Sequence, residues 1–192
     1  KFDYSDNAYS PIVMINPILD GPNGNPVVAN YVSGLITANT IWTAAQSPYT
    51  VADEVTVANG VTLTIEPGVE VRFVTGKGMT VNGTLKAEGT AGNEIVFTSN
   101  NPVPAAGDWS RIYFTDTSDD AASVISHARI EYANAGVRTL NASPTITDNV
   151  IENNMTGIYL EDTNISQVSG NRIINNVNYG IALYSSYFYG VY

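Results

Sequence analysis

The sequence predicts an all-β chain wound as a solenoid of about six rungs. A non-repeat N-terminal extension covers residues 1–30, and the solenoid covers residues 31–192. Three observations carry this expectation. The first is a repeat, Asn-x-Ile-x-Asn-Asn, then a spacer, then Gly-Ile-x-Leu, which begins at Asn149 and again 22 residues later at Asn171. The second is strict alternation of apolar and polar residues, as in Val61-Thr62-Leu63-Thr64-Ile65. The third is composition: 44% hydrophobic, 14% charged and 16 Gly in 192 residues is rich in strand and turn formers and unlike a disordered chain.

In chain order, residues 1–30 do not fit the repeat. Pro11, Pro17, Pro22 and Pro26 interrupt them, and Asp20 to Pro26 forms a dense turn cluster. Between the breaks lies an apolar, strand-type run from Ile12 to Leu19. Either a cap over one end of the solenoid or an arm that adds a strand to a neighbouring copy would use it.

From residue 31 the regular body begins. Asn59-Gly60 and Pro67-Gly68 mark turns, and the pattern returns from Met79 to Gly89. Leu63 to Leu85 and Ile65 to Ala87 are both 22 residues, while Val71 to Ile95 and Phe73 to Phe97 are both 24. Residues 98–108 form the largest departure, a loop before the strand Trp109 to Phe114. From Ser126 onward the corners become rich in Asn, which tolerates positive φ and bonds its own backbone. Ile151 with Ile173, Ile158 with Ile181 and Leu160 with Leu183 should stack in the core. The Asn side chains between them should form ladders from rung to rung.

The order Ser33-Gly34-Leu35-Ile36, Ile41-Trp42-Thr43, Leu63 to Val69, Val81 to Thr90, Ile95 to Ser99 and Gly107-Asp108-Trp109 resembles the opening turns of right-handed parallel β-helix proteins. These are pectate-lyase-like repeat proteins of the prokaryotic secreted or surface type. The resemblance covers roughly residues 33–186. It implies a right-handed parallel β-helix in an extracellular or cell-surface setting. It implies no single activity, because the family holds enzymes, adhesins and structural repeats.

Net charge of -10 with scattered Lys and Arg excludes a nucleic-acid-binding surface. No apolar run reaches the length of a membrane span. The absence of Cys leaves the compartment open. No catalytic residue is assigned: the Asn-Thr-Asp, Gly-His-Gly and Arg-Ile-Lys strings of hydrolases of this fold are missing, and the single His127 reads as a corner residue. Asp116, Asp119 and Asp120 share an acidic corner, a solvated loop or a weak candidate Ca²⁺ site. Glu161-Asp162 is a further acidic pair, with Arg111, Arg129 and Arg138 as basic residues that could partner a carboxylate. Candidate glycosylation acceptors are Asn82, Asn154 and Asn164, each in an Asn-x-Ser/Thr tripeptide.

Two regions suit assembly. One is the N-terminal run with Ile12, Val13, Met14, Ile15, Ile18 and Leu19. The other is the aromatic C-terminal stretch with Tyr184, Tyr187, Phe188, Tyr189 and Tyr192, since Tyr is favoured at interfaces. The expected function is therefore a non-catalytic structural or adhesive module that self-associates into a filament or surface array, with itself and with glycans as partners. The alternatives are a carbohydrate-binding or carbohydrate-active β-helix and a viral fibre segment.

Overall fold

The computed structural model describes residues 16–19, 26–162 and 167–185. β1 (Asn16–Leu19) pairs antiparallel with the start of β2 (Pro26–Ile36). Every later strand pairing is parallel among the described strands. β2 and β3 (Thr40–Trp42) form the first turn, followed by β4 (Tyr49–Val57) and β5 (Thr62–Ile65). The third turn is β6 (Glu70–Phe73), β7 (Met79–Val81) and β8 (Thr84–Glu88). The fourth is β9 (Ile95–Ser99), β10 (Trp109–Phe114) and β11 (Val124–Ser126). The fifth is β12 (Ala128–Glu131), β13 (Ala133–Leu140) and β14 (Thr145–Thr147). The sixth is β15 (Val150–Glu152), β16 (Thr156–Glu161) and β17 (Val168–Ser169). β18 (Arg172–Ile174) and β19 (Tyr179–Tyr184) begin a seventh.

Each turn contributes one strand to each of three faces. The first face runs β4-β6-β9-β12-β15-β18 and the second β4-β7-β10-β13-β16-β19; the long β4 serves both. The third face runs β3-β5-β8-β11-β14-β17. The chain is thus an all-β parallel solenoid of about seven turns, close to the six expected, with almost no helix.

Alternation decides the core. Val71, Phe97, Ile130 and Ile151 lie in one register line and are fully buried. Leu63 pairs with Leu85, Ile151 with Ile173, Ile158 with Ile181 and Leu160 with Leu183, as the repeat predicts. One expectation is corrected. Val71 pairs with Phe97 and Phe73 with Ser99, a spacing of 26 and not 24. A two-residue slip leaves every side chain on its own face, so alternation alone cannot detect it. The buried Trp109 ring stacks on Phe73 with centroids 4.1 Å apart, and its Nε1–H donates to the Glu131 carbonyl at 2.8 Å.

The corners are left-handed at equivalent places in successive turns. His127, Asp148 and Gly170 share one, Tyr132, Asn153 and Asn175 a second, Asn141 and Asp162 a third, all with positive φ. His127 is thus a corner residue, as read from sequence. In the repeat's doublets, Asn153-Asn154 and Asn175-Asn176, the first Asn turns the corner and the second carries the ladder. Asn154 Nδ2 donates to Ile130 O and Asn176 Oδ1, both at 3.0 Å, and its Oδ1 accepts from Ala133 N at 2.7 Å. Asn149 repeats the arrangement with Ile125 O, Asn171 Oδ1 and Ala128 N. These are the expected Asn ladders, and they satisfy corner backbone groups that would otherwise be buried unpaired.

Candidate functional site

On the first face the outward residues of adjacent strands meet as a charged belt. Arg72 pairs with Glu70 through two 3.0 Å hydrogen bonds. Arg129 bridges Glu94, at 3.2 Å, and Glu152 on the next turn. Glu131 sits half-buried in this belt and accepts a 2.9 Å bond from the Thr98 hydroxyl. Burial pushes its carboxyl above the ordinary carboxylate range; Glu152 and Glu70 add to that, while Thr98 and Arg129 oppose it.

The second face is different in kind. Tyr113, Arg138 and Tyr159 stand in one register line on β10, β13 and β16. The Arg138 guanidinium lies 5.2 Å from the Tyr113 ring centre and 5.3 Å from that of Tyr159, and Arg111 lies 5.2 Å from Tyr113. Arg138 Nη2 donates to Glu161 Oε2 at 2.7 Å, while its Nε is buried with no hydrogen-bond partner among the described residues. Beside this row lies a groove of about 300 Å³ lined by Arg111, Asn134, Ala135, Arg138, Thr156 and Tyr159. The small Ala135 leaves the space.

A β-bulge builds the groove. Arg111 pairs with Ala135 but Ile112 pairs with Val137, so the register shifts between them. Trp109 and Ile112 are buried and the two residues between them are not, which turns Arg111 outward. The sequence carries a signal for this: Trp109-x-x-Ile112 breaks the period of two. Arg111 and Arg138 drew notice in the sequence only as partners for carboxylates, and their meeting with Tyr113 and Tyr159 needs the register.

The other sequence candidates fall as follows. Asp119 Oδ1 accepts from Ala122 N at 3.1 Å and Asp120 Oδ1 from the Ser118 hydroxyl at 3.4 Å, so these carboxylates are used within their own turn. Among the described residues no three His, Cys, Asp or Glu side chains gather to hold a metal ion. Asn154 is corrected as a glycan acceptor: it is fully buried and its amide is committed to the ladder. Asn82 is half-buried, and its Oδ1 accepts from the Thr115 hydroxyl at 2.8 Å. Asn164 lies outside the described residues.

Of the assembly residues, Ile12, Val13, Met14, Ile15, Tyr187, Phe188, Tyr189 and Tyr192 lie outside the described residues. Ile18 and Leu19 fall on β1. Tyr184 is exposed on β19, next to inward-register positions that are also exposed, Ile181 at 45% and Leu183 at 65%. Their counterparts one turn earlier, Ile158 and Leu160, are 0% and 2% exposed. No helix among the described residues is long and apolar enough to cross a membrane.

Residues 34–118 match the family described as pectate-lyase like beta helix domain. The chain is also similar to the protein bark beetle of Drosophila melanogaster, 41% identical over 68 residues, which is 35% of this chain and 2% of that protein. The match therefore spans a very small part of the relative's length. That relative is an animal protein, so the prokaryotic part of the resemblance gains no support from it. No solved structure matches the chain significantly. A pectate-lyase-like β-helix is compatible with an enzymatic or a non-enzymatic role.

Proposed function

We propose that this chain is a non-catalytic structural or adhesive β-helix module of an extracellular or cell-surface protein, which works by adding its seventh turn to the first turn of a second copy. The observation that carries this reading is the exposed core line of the seventh turn. Among the described residues, Ile181 and Leu183 continue buried stacks and are themselves exposed. The outer edges of β17, β18 and β19 have no strand partner among the described strands, nor does β3 on its outer side. Such edges pair readily with another chain. A contact of the seventh turn with the first turn of another copy is heterologous and does not close, so it extends as a rod or filament. Sedimentation across a range of concentrations tests this. Association that grows with concentration, and that Ile181→Asp with Leu183→Asp abolishes, is expected; a chain that stays monomeric throughout would overturn it.

A second reading, a carbohydrate-active β-helix, is favoured by Glu131. A half-buried carboxyl that holds its proton above the usual range is what a general acid needs. Against it, the nearby Glu152 and Glu94 are tied to Arg129. Incubation with acidic polysaccharides, with and without chelator, separates the two. Cleavage lost in Glu131→Gln would favour the enzyme.

A further inference from the structure

We infer that Asn59 is a site of spontaneous covalent modification, at which the side-chain amide is lost through attack by the Gly60 backbone nitrogen. This goes beyond end-to-end association and does not depend on it. Among the described residues two Asn-Gly pairs, Asn59-Gly60 and Asn82-Gly83, stand at the same corner of successive turns. Val57 before the first pairs with Val81 before the second, and Thr62 after the first pairs with Thr84 after the second. The dipeptide is the same and the surroundings differ. Asn82 is half-buried, and its Oδ1 accepts from the Thr115 hydroxyl of the next turn at 2.8 Å. A Cβ on Gly83 would lie 2.2 Å from the Ala58 carbonyl oxygen and 2.3 Å from that of Val61, so this backbone is held against the turn before it.

Asn59 and Gly60 are both exposed, and neither the Asn59 amide nor the Gly60 N–H makes a hydrogen bond among the described residues. They form the tip of a turn closed by the Val61 N–H, which donates to the Ala58 carbonyl at 3.0 Å, with Gly60 at φ 74. The peptide unit between them is the central one of that turn. With no hydrogen bond to hold it and glycine after it, this unit can turn over at little steric cost. The rotation carries the Gly60 nitrogen past Asn59 Cγ. The nitrogen gives up its proton and attacks that carbon; the new C–N bond closes a succinimide ring, and the old C–N bond breaks to release ammonia. Water then opens the ring at either carbonyl, leaving aspartate or isoaspartate. The step needs water alone as co-reactant. Either product adds negative charge to a chain already at -10. Isoaspartate also lengthens the backbone beside Gly83, where Val61 O accepts from Thr84 N at 2.8 Å, and so loosens the contact between two turns.

Incubation of the whole chain at mildly alkaline pH in water labelled with heavy oxygen, followed by peptide mapping and mass spectrometry, tests the assignment. The label enters at ring opening and marks each converted Asn. In the native chain Asn59 should convert at least about tenfold faster than Asn82, whose reaction requires its corner to open first. In denaturant the two should convert at comparable rates, since each is followed by Gly. Asn59→Gln should abolish conversion at that position and leave Asn82 unchanged, which assigns the product to Asn59. Native conversion of Asn59 no faster than that of Asn82 would overturn the inference. So would an Asn59 that converts in denaturant and stays intact in the native chain.

Discussion

Replacing Asn154 with Ala takes the side-chain partner from both the Ala133 N–H and the Ile130 carbonyl, while Asn176 Oδ1 keeps its 3.0 Å bond from the Asn154 backbone N–H. Buried polar groups left unpaired cost about 1–3 kcal/mol each. Asn154→Ala should therefore destabilise the chain by about 3 kcal/mol in denaturant unfolding. Asn153→Gly, at a corner with φ 59, should change stability by no more than about 0.5 kcal/mol, since Gly adopts that conformation freely. The doublet is visible in the sequence as a corner, but the division of labour within it is not. Nothing local says which Asn turns and which points inward, and so Asn154 reads as a surface acceptor. Glu131 makes a pH prediction at the same scale. Its carboxyl is pushed up in the fold, so ionising it opposes folding. Its contribution is intact below the ordinary carboxylate range near pH 4 and is lost as pH rises through its raised value. Glu131→Gln should thus be more stable than the parent at neutral pH, and the difference should vanish in acid.

Strand pairing in this chain depends on close approach of the backbone within β16. A Cβ on Gly157 would lie 2.5 Å from the Gly180 carbonyl oxygen and 3.0 Å from Ile173 Cγ2. Because the obstacle is backbone, β16 and β19 would have to part. Gly157→Ala should cost about 2 kcal/mol or more. Gly92→Ala, with nothing within 4 Å, should be tolerated within about 0.5 kcal/mol in the same unfolding assay. Elements with strong alternation were legible, and the stacks Leu63–Leu85 and Ile158–Ile181 follow from spacing alone. Register across the long corners was not, because β6 and β9 can slip by two without moving any side chain off its face. The groove suffers the same limit. Its arginines and tyrosines come from three turns, and only the shifted pairing of β10 with β13 brings them together.

At the scale of the whole molecule, seven turns of stacked strands make a short rod whose faces are largely self-satisfied. Several outward charges are paired along the ladder, as in Arg129 with Glu94 and Glu152, and inward side chains fill a continuous core. Among the described residues that core line is exposed at the seventh turn, at Ile181 and Leu183. The fold class was legible because a period near 22 recurs over most of the chain, from Leu63 to Leu85 and from Ile151 to Ile173. What a solenoid does was less so, since a repeat records what every turn shares while function falls where turns differ. Electron microscopy of the concentrated protein addresses the end-to-end reading most directly. At about 4.8 Å per turn, the seven described turns measure about 34 Å along the axis. Rods many times that length, with an axial spacing near 4.8 Å and lost in Ile181→Asp with Leu183→Asp, are the predicted result. A field of single particles no longer than one copy at every concentration would contradict it.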